Sequence, residues 1–136
     1  MNKYYHSATI LQWAAVFGAL AVGLGAFGAH GLAERLNEMG RTETFETAVS
    51  YHFYHSLALL LLGGIMSIYT SVKAFSISAL LFVIGIVIFS GSLYVLSLTG
   101  ITWLGAITPF GGLAFILGWV GLFVGAQQIK KGNTTV

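Results

Sequence analysis

The stretch ATILQWAAVFGALAVGLGAFGA, residues 8–29, decides the fold class of this chain. It carries no charged side chain, and about 20 such residues cross a bilayer as an α-helix. Three more uncharged blocks of comparable length follow, at residues 48–72, 74–99 and 101–129. The sequence therefore predicts an all-α integral membrane four-helix bundle. The expected spans cover about residues 8–29, 46–70, 74–98 and 109–129.

Composition supports a membrane protein and excludes several other classes. Only 7% of the 136 residues are charged and 57% are hydrophobic, whereas soluble domains carry roughly a quarter charged residues. The spans with their short links form one expected domain, residues 1–136. The first apolar run exceeds the usual signal-peptide core of about 7–15 residues, so we expect it to stay as a span. Cysteine is absent, which excludes disulfides and thiolate chemistry. No basic patch is interleaved with aromatics, so no nucleic-acid partner is expected.

Charges at the ends of the spans predict the orientation in the membrane. Four spans place both termini on one side, together with four lysines, of which Lys73 lies in the second connection. The opposite side holds only two cations, Arg35 and Arg41. Because Lys and Arg are enriched on the cytoplasmic side, both termini are predicted to be cytoplasmic.

The first connection predicts a short helix of its own. Leu32, Leu36 and Met39 follow each other at helical spacing, with charged residues between them. This pattern is typical of an amphipathic helix that lies on the membrane surface, here the outer one. Gly40 can end that helix in a left-handed conformation.

Two further helix starts are marked by capping residues. Thr42 is expected to cap the second span, with Glu43 and Glu46 in the first turn, where the helix dipole favours carboxylates. Thr108 followed by Pro109 predicts the start of the fourth span, as a cap and a residue pre-set for the first turn. Residues 100–107 then form an apolar loop in the outer interface. The alternative is a longer helix kinked at Pro109.

Small residues recur at heptad spacing in the first and fourth spans. Small side chains let helix backbones approach closely in lipid, so these positions predict contacts between helices. Small residues left over on the first span, including Ala15 and Ala19, can serve either a second helix of the chain or another protomer of a homo-oligomer. The predicted packing residues are Gly18, Gly25, Gly28, Pro109, Gly111, Gly118, Gly121 and Gly125.

Polar side chains gather in the outer half of the predicted bundle. His52 and His55 lie three residues apart on neighbouring parts of one helix face, and His30 ends the first span. Ionisable groups inside a membrane are candidates for a functional site. Because the spans alternate in direction, the end of the third span and the start of the fourth lie at the same depth. The expected site is one pocket bordered by His30, His52, His55, Ser90, Ser92, Tyr94 and Thr108.

Four motifs in order resemble the DUF423 family of small membrane proteins, also known as UPF0382 and related to eukaryotic transmembrane protein 256. They are GAFGAHGL (25–32), FETAVSYHFYHSLALLLL (45–62), FSGSLYVLSLTG (89–100) and TPFGGLAFILGW (108–119). The resemblance covers roughly residues 11–125 and implies a four-span protein of the bacterial inner membrane. The family pattern contains histidines that match His30, His52 and His55, which implies a common role without specifying it.

Three interpretations of the histidines follow. They can be structural, bonding backbone carbonyls that are free near helix ends and so locking helices together. They can form a site for a small molecule, a lipid headgroup or a proton, lined also by Tyr51, Tyr54 and Trp103. A small-solute or proton transporter is a variant of this second interpretation.

The third interpretation is a metal or haem oxidoreductase. Three imidazoles can hold zinc or copper with an open position, and two can hold haem. Against it, no acidic residue lies well within a span, and the chain has no aspartate for a Ser-His-Asp triad. The sequence specifies neither a cofactor nor a metal. It favours a structural or ligand-binding component of the lipid bilayer over an enzyme.

Overall fold

The computed structural model describes residues 3–132, which are almost entirely helical and contain no strand. Four segments of this range are long and apolar enough to cross a membrane: Ser7–Ala29, Thr42–Ile68, Lys73–Thr99 and Thr102–Lys130. We refer to them as the first to fourth spans. The helices are α1 (Lys3–Ala29), α2 (Ala33–Glu38), α3 (Thr42–Ile68), α4 (Lys73–Gly85), a π-helical turn (Ile86–Ser90), α5 (Gly91–Thr99), a 3₁₀ turn (Thr102–Ala106) and α6 (Thr108–Gly132).

The spans form two antiparallel pairs, and the second span connects one pair to the other. α1 packs mainly on α3, and α6 packs mainly on α4, while α3 also contacts all three helical parts of the third span. The apolar core lies between them, and Leu59, Leu62 and Phe82 are fully buried there. Large apolar side chains such as Leu61 and Phe123 point outward and are exposed. Because exposed apolar residues of a membrane span face lipid, the lipid bilayer is the environment of this outer surface.

Phenylalanine rings of the third span sit over glycines of the fourth. A Cβ atom added to Gly118 would collide with the Phe82 ring, and one added to Gly125 would collide with the Phe75 ring. A Cβ on Gly111 would meet the backbone of Phe89 itself. The three phenylalanines lie seven residues apart along the third span. Their three glycine partners also lie seven residues apart along the fourth span, in the reverse order. The small residues therefore allow a close antiparallel contact.

Ser78 and Phe115 complete this contact. A Cβ on Gly121 would lie 2.5 Å from the Ser78 hydroxyl oxygen. At one position the ring belongs to the fourth span and the glycine to the third: the Phe115 ring of α6 lies over Gly85 of α4. Pro109 occupies the second position of α6, where its missing N–H is not needed.

Glycines also allow a close contact between the first and second spans, although not at Gly18. A Cβ on Gly28 would collide with the Phe45 ring, and one on Gly25 would lie 3.1 Å from Val49 Cγ1. Gly18 belongs to the same predicted stripe of small packing residues. A Cβ on Gly18 would meet no described atom within 4 Å. The heptad pattern fixes a stripe of small residues, but it does not fix which side of that stripe faces the neighbouring helix.

The surface helix α2 is held against the bundle. Leu36 is only 2% exposed, and Arg35 Nη2 donates to the carbonyl oxygen of Leu98 at 2.9 Å, at the end of the third span. Gly40 follows the helix with a φ of 62°, the left-handed conformation that ends a helix readily. The Arg41 N–H then bonds Leu36 O at 2.8 Å. These bonds fix α2 across the ends of the first three spans.

Both expected caps differ in detail from the structure. The second span begins at Thr42 itself, with Arg41 as the preceding residue and no side-chain cap bond. Thr108 is the first residue of α6, but its hydroxyl bonds Leu104 O and Ser92 rather than serving only as a cap. The connection at residues 100–107 is a loop that contains a 3₁₀ turn. Capping residues thus mark these helix starts to within one residue, while tertiary contacts decide where the hydroxyls point.

Candidate functional site

His52 bonds Tyr94 and so joins the second span to the third. Its Nδ1 lies 3.2 Å from the Tyr94 hydroxyl oxygen, and only 4% of the residue is exposed. The Phe17 ring meets the imidazole edge to face at a centroid distance of 5.7 Å. Tyr94 in turn packs on Phe45, at 5.2 Å between centroids. The pair is therefore a polar contact within an aromatic layer.

His55 joins the second span to the fourth. The Trp119 Nε1–H donates to His55 Nε2 at 3.2 Å, and His55 Nδ1 lies 2.8 Å from the Tyr51 carbonyl oxygen. The indole only donates and the carbonyl only accepts, so Nδ1 carries the proton and Nε2 does not. The imidazole also stacks on Phe115, with ring centroids 3.5 Å apart. His55 is thus neutral, and both of its nitrogens have protein partners.

Ser92 and Thr108 form the third polar contact between spans. Their hydroxyl oxygens lie 2.8 Å apart in a buried position. One hydroxyl donates to the other, and the accepting hydroxyl donates its own hydrogen to a backbone carbonyl of its span, Phe89 O for Ser92 or Leu104 O for Thr108. The bond ties the end of the third span to the start of the fourth.

The structure does not gather the predicted site residues into one pocket. It pairs His52 with Tyr94 and Ser92 with Thr108, and it turns His55 towards Trp119. His30 is exposed at the end of α1, and only its backbone N–H forms a described bond, to Ala26 O. Trp119 was missed by sequence reasoning. It lies 64 residues from His55, and an aromatic residue in the middle of a span gives no local sign of such a partner.

The histidines do not fit a metal or haem site. Among the side chains that the structure describes, no three His, Cys, Asp or Glu residues are grouped closely enough to hold a metal ion. Both ring nitrogens of His55 are already engaged, which leaves no lone pair for an axial ligand. Three imidazoles around zinc, or two around haem, would require different packing of α3.

A cavity of about 790 Å³ opens instead between α1, α2 and the start of α3. Its polar part includes Glu34, Asn37 and Glu46, and its apolar part includes Phe45 and Val49. Sequence reasoning assigned Glu46 to the helix dipole and missed the cavity. The available signal was an amphipathic connection that follows a span end rich in small residues, residues 23–29. The full lining is Gly25, Gly28, Ala29, Ala33, Glu34, Leu36, Asn37, Thr42, Phe45, Glu46, Val49 and Ser50.

Comparison with known proteins identifies relatives of the same kind. The family model described as "Protein of unknown function (DUF423)" matches residues 24–112. The chain is 44% identical over 52 residues to UPF0382 membrane protein C1782.12c of Schizosaccharomyces pombe, covering 38% of this chain and 44% of the relative. It is 45% identical over 64 residues to UPF0382 membrane protein YwdK of Bacillus subtilis, covering 42% of this chain and 51% of that relative.

A third similar relative is UPF0382 membrane protein SAUSA300_0565 of Staphylococcus aureus, 47% identical over 62 residues, which are 43% of this chain and 49% of the relative. The chain thus spans about half the length of the curated relatives it matches. No solved structure matches it.

Proposed function

The chain belongs to the DUF423 family, and we propose that it binds an amphipathic molecule whose head carries a cationic group, such as the ammonium group of a zwitterionic amine-headed phospholipid. The observation that carries this proposal is the cavity between α1, α2 and α3. Its volume of about 790 Å³ lies within the range of small-molecule sites, roughly 300–1,000 Å³. It is also placed where a lipid headgroup region would meet the ends of the spans.

The polarity of the lining matches such a ligand. Glu34 and Glu46 contribute two carboxylates, and Asn37 and Thr42 add hydrogen-bonding groups. No described lysine or arginine lines the cavity; Arg35 is directed to Leu98 O instead. Two carboxylates without a cation favour a positively charged partner.

The apolar part of the lining suits an acyl chain. Gly25, Gly28 and Ala29 present backbone and small side chains of α1, and Phe45 and Val49 present apolar surface of α3. Gly28 lies beneath the Phe45 ring, so α1 and α3 meet closely at this wall. An apolar groove beside polar groups is the arrangement by which ligand sites combine affinity with orientation.

The histidines serve packing in this proposal. The bonds His52–Tyr94, His55–Trp119 and Ser92–Thr108 join the second, third and fourth spans pairwise. Hydrogen bonds between membrane helices each stabilise by about 0.6 kcal/mol on average. This supports the structural interpretation of His52 and His55. Among the described residues, no contact favours a redox centre or a solute path.

The proposal places the cavity on the outer side of the bacterial inner membrane, with both termini cytoplasmic. Lys73, in the connection on the opposite side, supports that orientation through the positive-inside bias.

The exposed small-residue face of α1 supports a homo-oligomer. Ala15 and Ala19 are exposed, and Cβ atoms on Gly18 and Gly23 would meet no described atom within 4 Å. Sedimentation in detergent tests this, since Gly18→Leu should shift the protein to the monomer mass while Gly64→Leu should not.

Native mass spectrometry of delipidated protein tests the main proposal. Phosphatidylethanolamine and phosphatidylglycerol with the same acyl chains are titrated separately. We expect the ethanolamine lipid to bind more tightly, and Ala33→Trp, which fills the cavity, to abolish binding. Ala26→Trp is the matched control, because Ala26 is exposed on α1 and does not line the cavity.

A second pair of variants tests the role of charge. Glu34→Gln with Glu46→Gln should weaken ethanolamine-lipid binding about fivefold, since two exposed ion pairs at about 0.5 kcal/mol each contribute about 1 kcal/mol. Glu38→Gln with Glu43→Gln, which change carboxylates outside the lining, should leave binding unchanged. Equal binding of both lipids, or equal loss in both double variants, would contradict a cationic headgroup site.

A further inference from the structure

Two buried polar atoms have no hydrogen-bond partner in the part of the chain that the structure describes: His52 Nε2 and Ser90 Oγ. His52 is 4% exposed and Ser90 is 0% exposed. A buried hydrogen-bonding group without a partner costs about 1–3 kcal/mol, and in a membrane no bulk water is available to it. Two such atoms are therefore a specific feature that calls for a ligand.

Contacts on either side bring the segments that carry these two atoms together between the second and third spans. Tyr51, next to His52, packs on Phe89, next to Ser90, at a centroid distance of 4.6 Å. His52 also bonds Tyr94, which lies one helical turn beyond Ser90. Residues four apart on a helix share a face, so Ser90 and Tyr94 face the same neighbouring span.

Ser90 lacks a partner because of a local change in the helix. Two buried serines of the neighbouring segments donate to the carbonyl four residues earlier, Ser56 to His52 O and Ser97 to Leu93 O. Ser90 ends the π-helical turn Ile86–Ser90. Such a turn inserts one residue and shifts the carbonyl that an α-helical serine would reach, and π turns are frequent at functional sites.

The chemistry of the two atoms limits what can bind them. Nδ1 of His52 is occupied by the Tyr94 hydroxyl, so Nε2 donates in one neutral tautomer and accepts in the other. The Ser90 hydroxyl can also do either. The site therefore suits a small polar partner, and a molecule that both donates and accepts fits either tautomer.

We infer that His52 Nε2 and Ser90 Oγ together bind one water molecule between the second and third spans. Water satisfies both atoms in either tautomer, and two polar partners are sufficient for a buried water. The resulting chain runs Tyr94–His52–water–Ser90 and connects the two spans below the direct His52–Tyr94 bond. This site is independent of the cavity at the membrane surface.

Magnetisation transfer from water to the carbon-bound Hε1 proton of each histidine tests the inference. It is measured by NMR on histidine-labelled protein in deuterated detergent, with His52 assigned by loss of its signal in His52→Gln. We expect a cross-peak of the sign of a long-lived bound water at His52 and none at His55, whose nitrogens both bond protein groups. Absence of the His52 cross-peak in folded wild-type protein would overturn the inference.

Ser90→Ala should lower that cross-peak by more than half, and the matched variant Ser97→Ala should leave it unchanged. The melting temperatures give a second readout. Loss of a bound water makes Ser90→Ala less stable than Ser97→Ala, whereas removal of an orphaned hydroxyl would make it more stable. A melting temperature of Ser90→Ala above that of the wild type would overturn the inference. If Ser90→Ala does not fold, the presence or absence of the His52 cross-peak in the wild-type protein decides.

Discussion

The indole N–H of Trp119 donates to Nε2 of His55 across 3.2 Å and joins the second span to the fourth. The donor and the acceptor are fixed, since Nδ1 of the same imidazole lies 2.8 Å from Tyr51 O. A histidine that looks like a metal ligand in the sequence is thereby a neutral bridge between helices. Both of its ring nitrogens bond protein groups, so neither is available to a metal ion.

Replacement of Trp119 by phenylalanine should destabilise the bundle, because it removes the donor and leaves His55 Nε2 buried without one. The expected loss in unfolding free energy is about 0.6 kcal/mol, and at most about 1.7 kcal/mol. Unfolding in mixed micelles with increasing SDS measures it. Trp103→Phe is the matched control, since Trp103 is 65% exposed and has no described hydrogen bond. Equal stability of the two variants would show that the bond contributes nothing.

Tyr94→Phe should have a similar effect on the contact between the second and third spans. The variant keeps the aromatic packing on Phe45 but removes the hydroxyl that bonds His52. We expect a loss of about 0.5–1.5 kcal/mol in the same unfolding measurement. Tyr54→Phe serves as control, because Tyr54 is exposed and its described contact is with the ring of Tyr51. An unchanged His52 nitrogen signal in Tyr94→Phe would contradict the assigned pair.

The sequence predicts helix position and small-residue stripes well, because both follow from local periodicity. Gly40 has the left-handed φ expected where the surface helix ends. Gly28, Gly118 and Gly125 lie in contacts between helices, as their helical spacing predicts. Hydrogen-bond partners are different. Which face of the second span meets which neighbour depends on the packing of every span, so local spacing does not reveal the Trp119 bond.

The π-helical turn and the surface cavity escape prediction for related reasons. Nothing in IVIFS, residues 86–90, distinguishes it from an ordinary apolar helix segment. The cavity needs the surface helix to be fixed over the ends of two spans, which depends on Leu36 and on the long-range bond from Arg35 to Leu98 O. Both features arise from contacts between distant segments.

Alanine in place of Gly111 or Gly118 should destabilise the contact between the third and fourth spans. The new methyl group would meet backbone at Gly111 and the buried Phe82 ring at Gly118. Overpacking of this kind costs typically about 1–3 kcal/mol. Because backbone yields less than a ring, Gly111→Ala should be the more damaging change. Unfolding in SDS mixed micelles ranks the variants.

Gly64→Ala is the control for these two changes. Gly64 is exposed on α3, and a Cβ there would meet no described atom within 4 Å. Alanine favours a helix over glycine by about 1 kcal/mol, so this variant should be as stable as the wild type or more so. If all three alanine variants lose stability equally, the close contact between the spans is not the cause.

Single cysteines test the proposed orientation, since the natural chain has none and each introduced thiol is unique. Glu38→Cys places an exposed thiol at the end of the surface helix, and Ser71→Cys places one in the connection between the second and third spans. A membrane-impermeant maleimide added to intact cells should label Glu38→Cys at once and Ser71→Cys only after lysis. The cysteine-free parent should stay unlabelled throughout. The reverse pattern would put the cavity on the cytoplasmic side, and any amphipathic ligand would then be drawn from the inner leaflet.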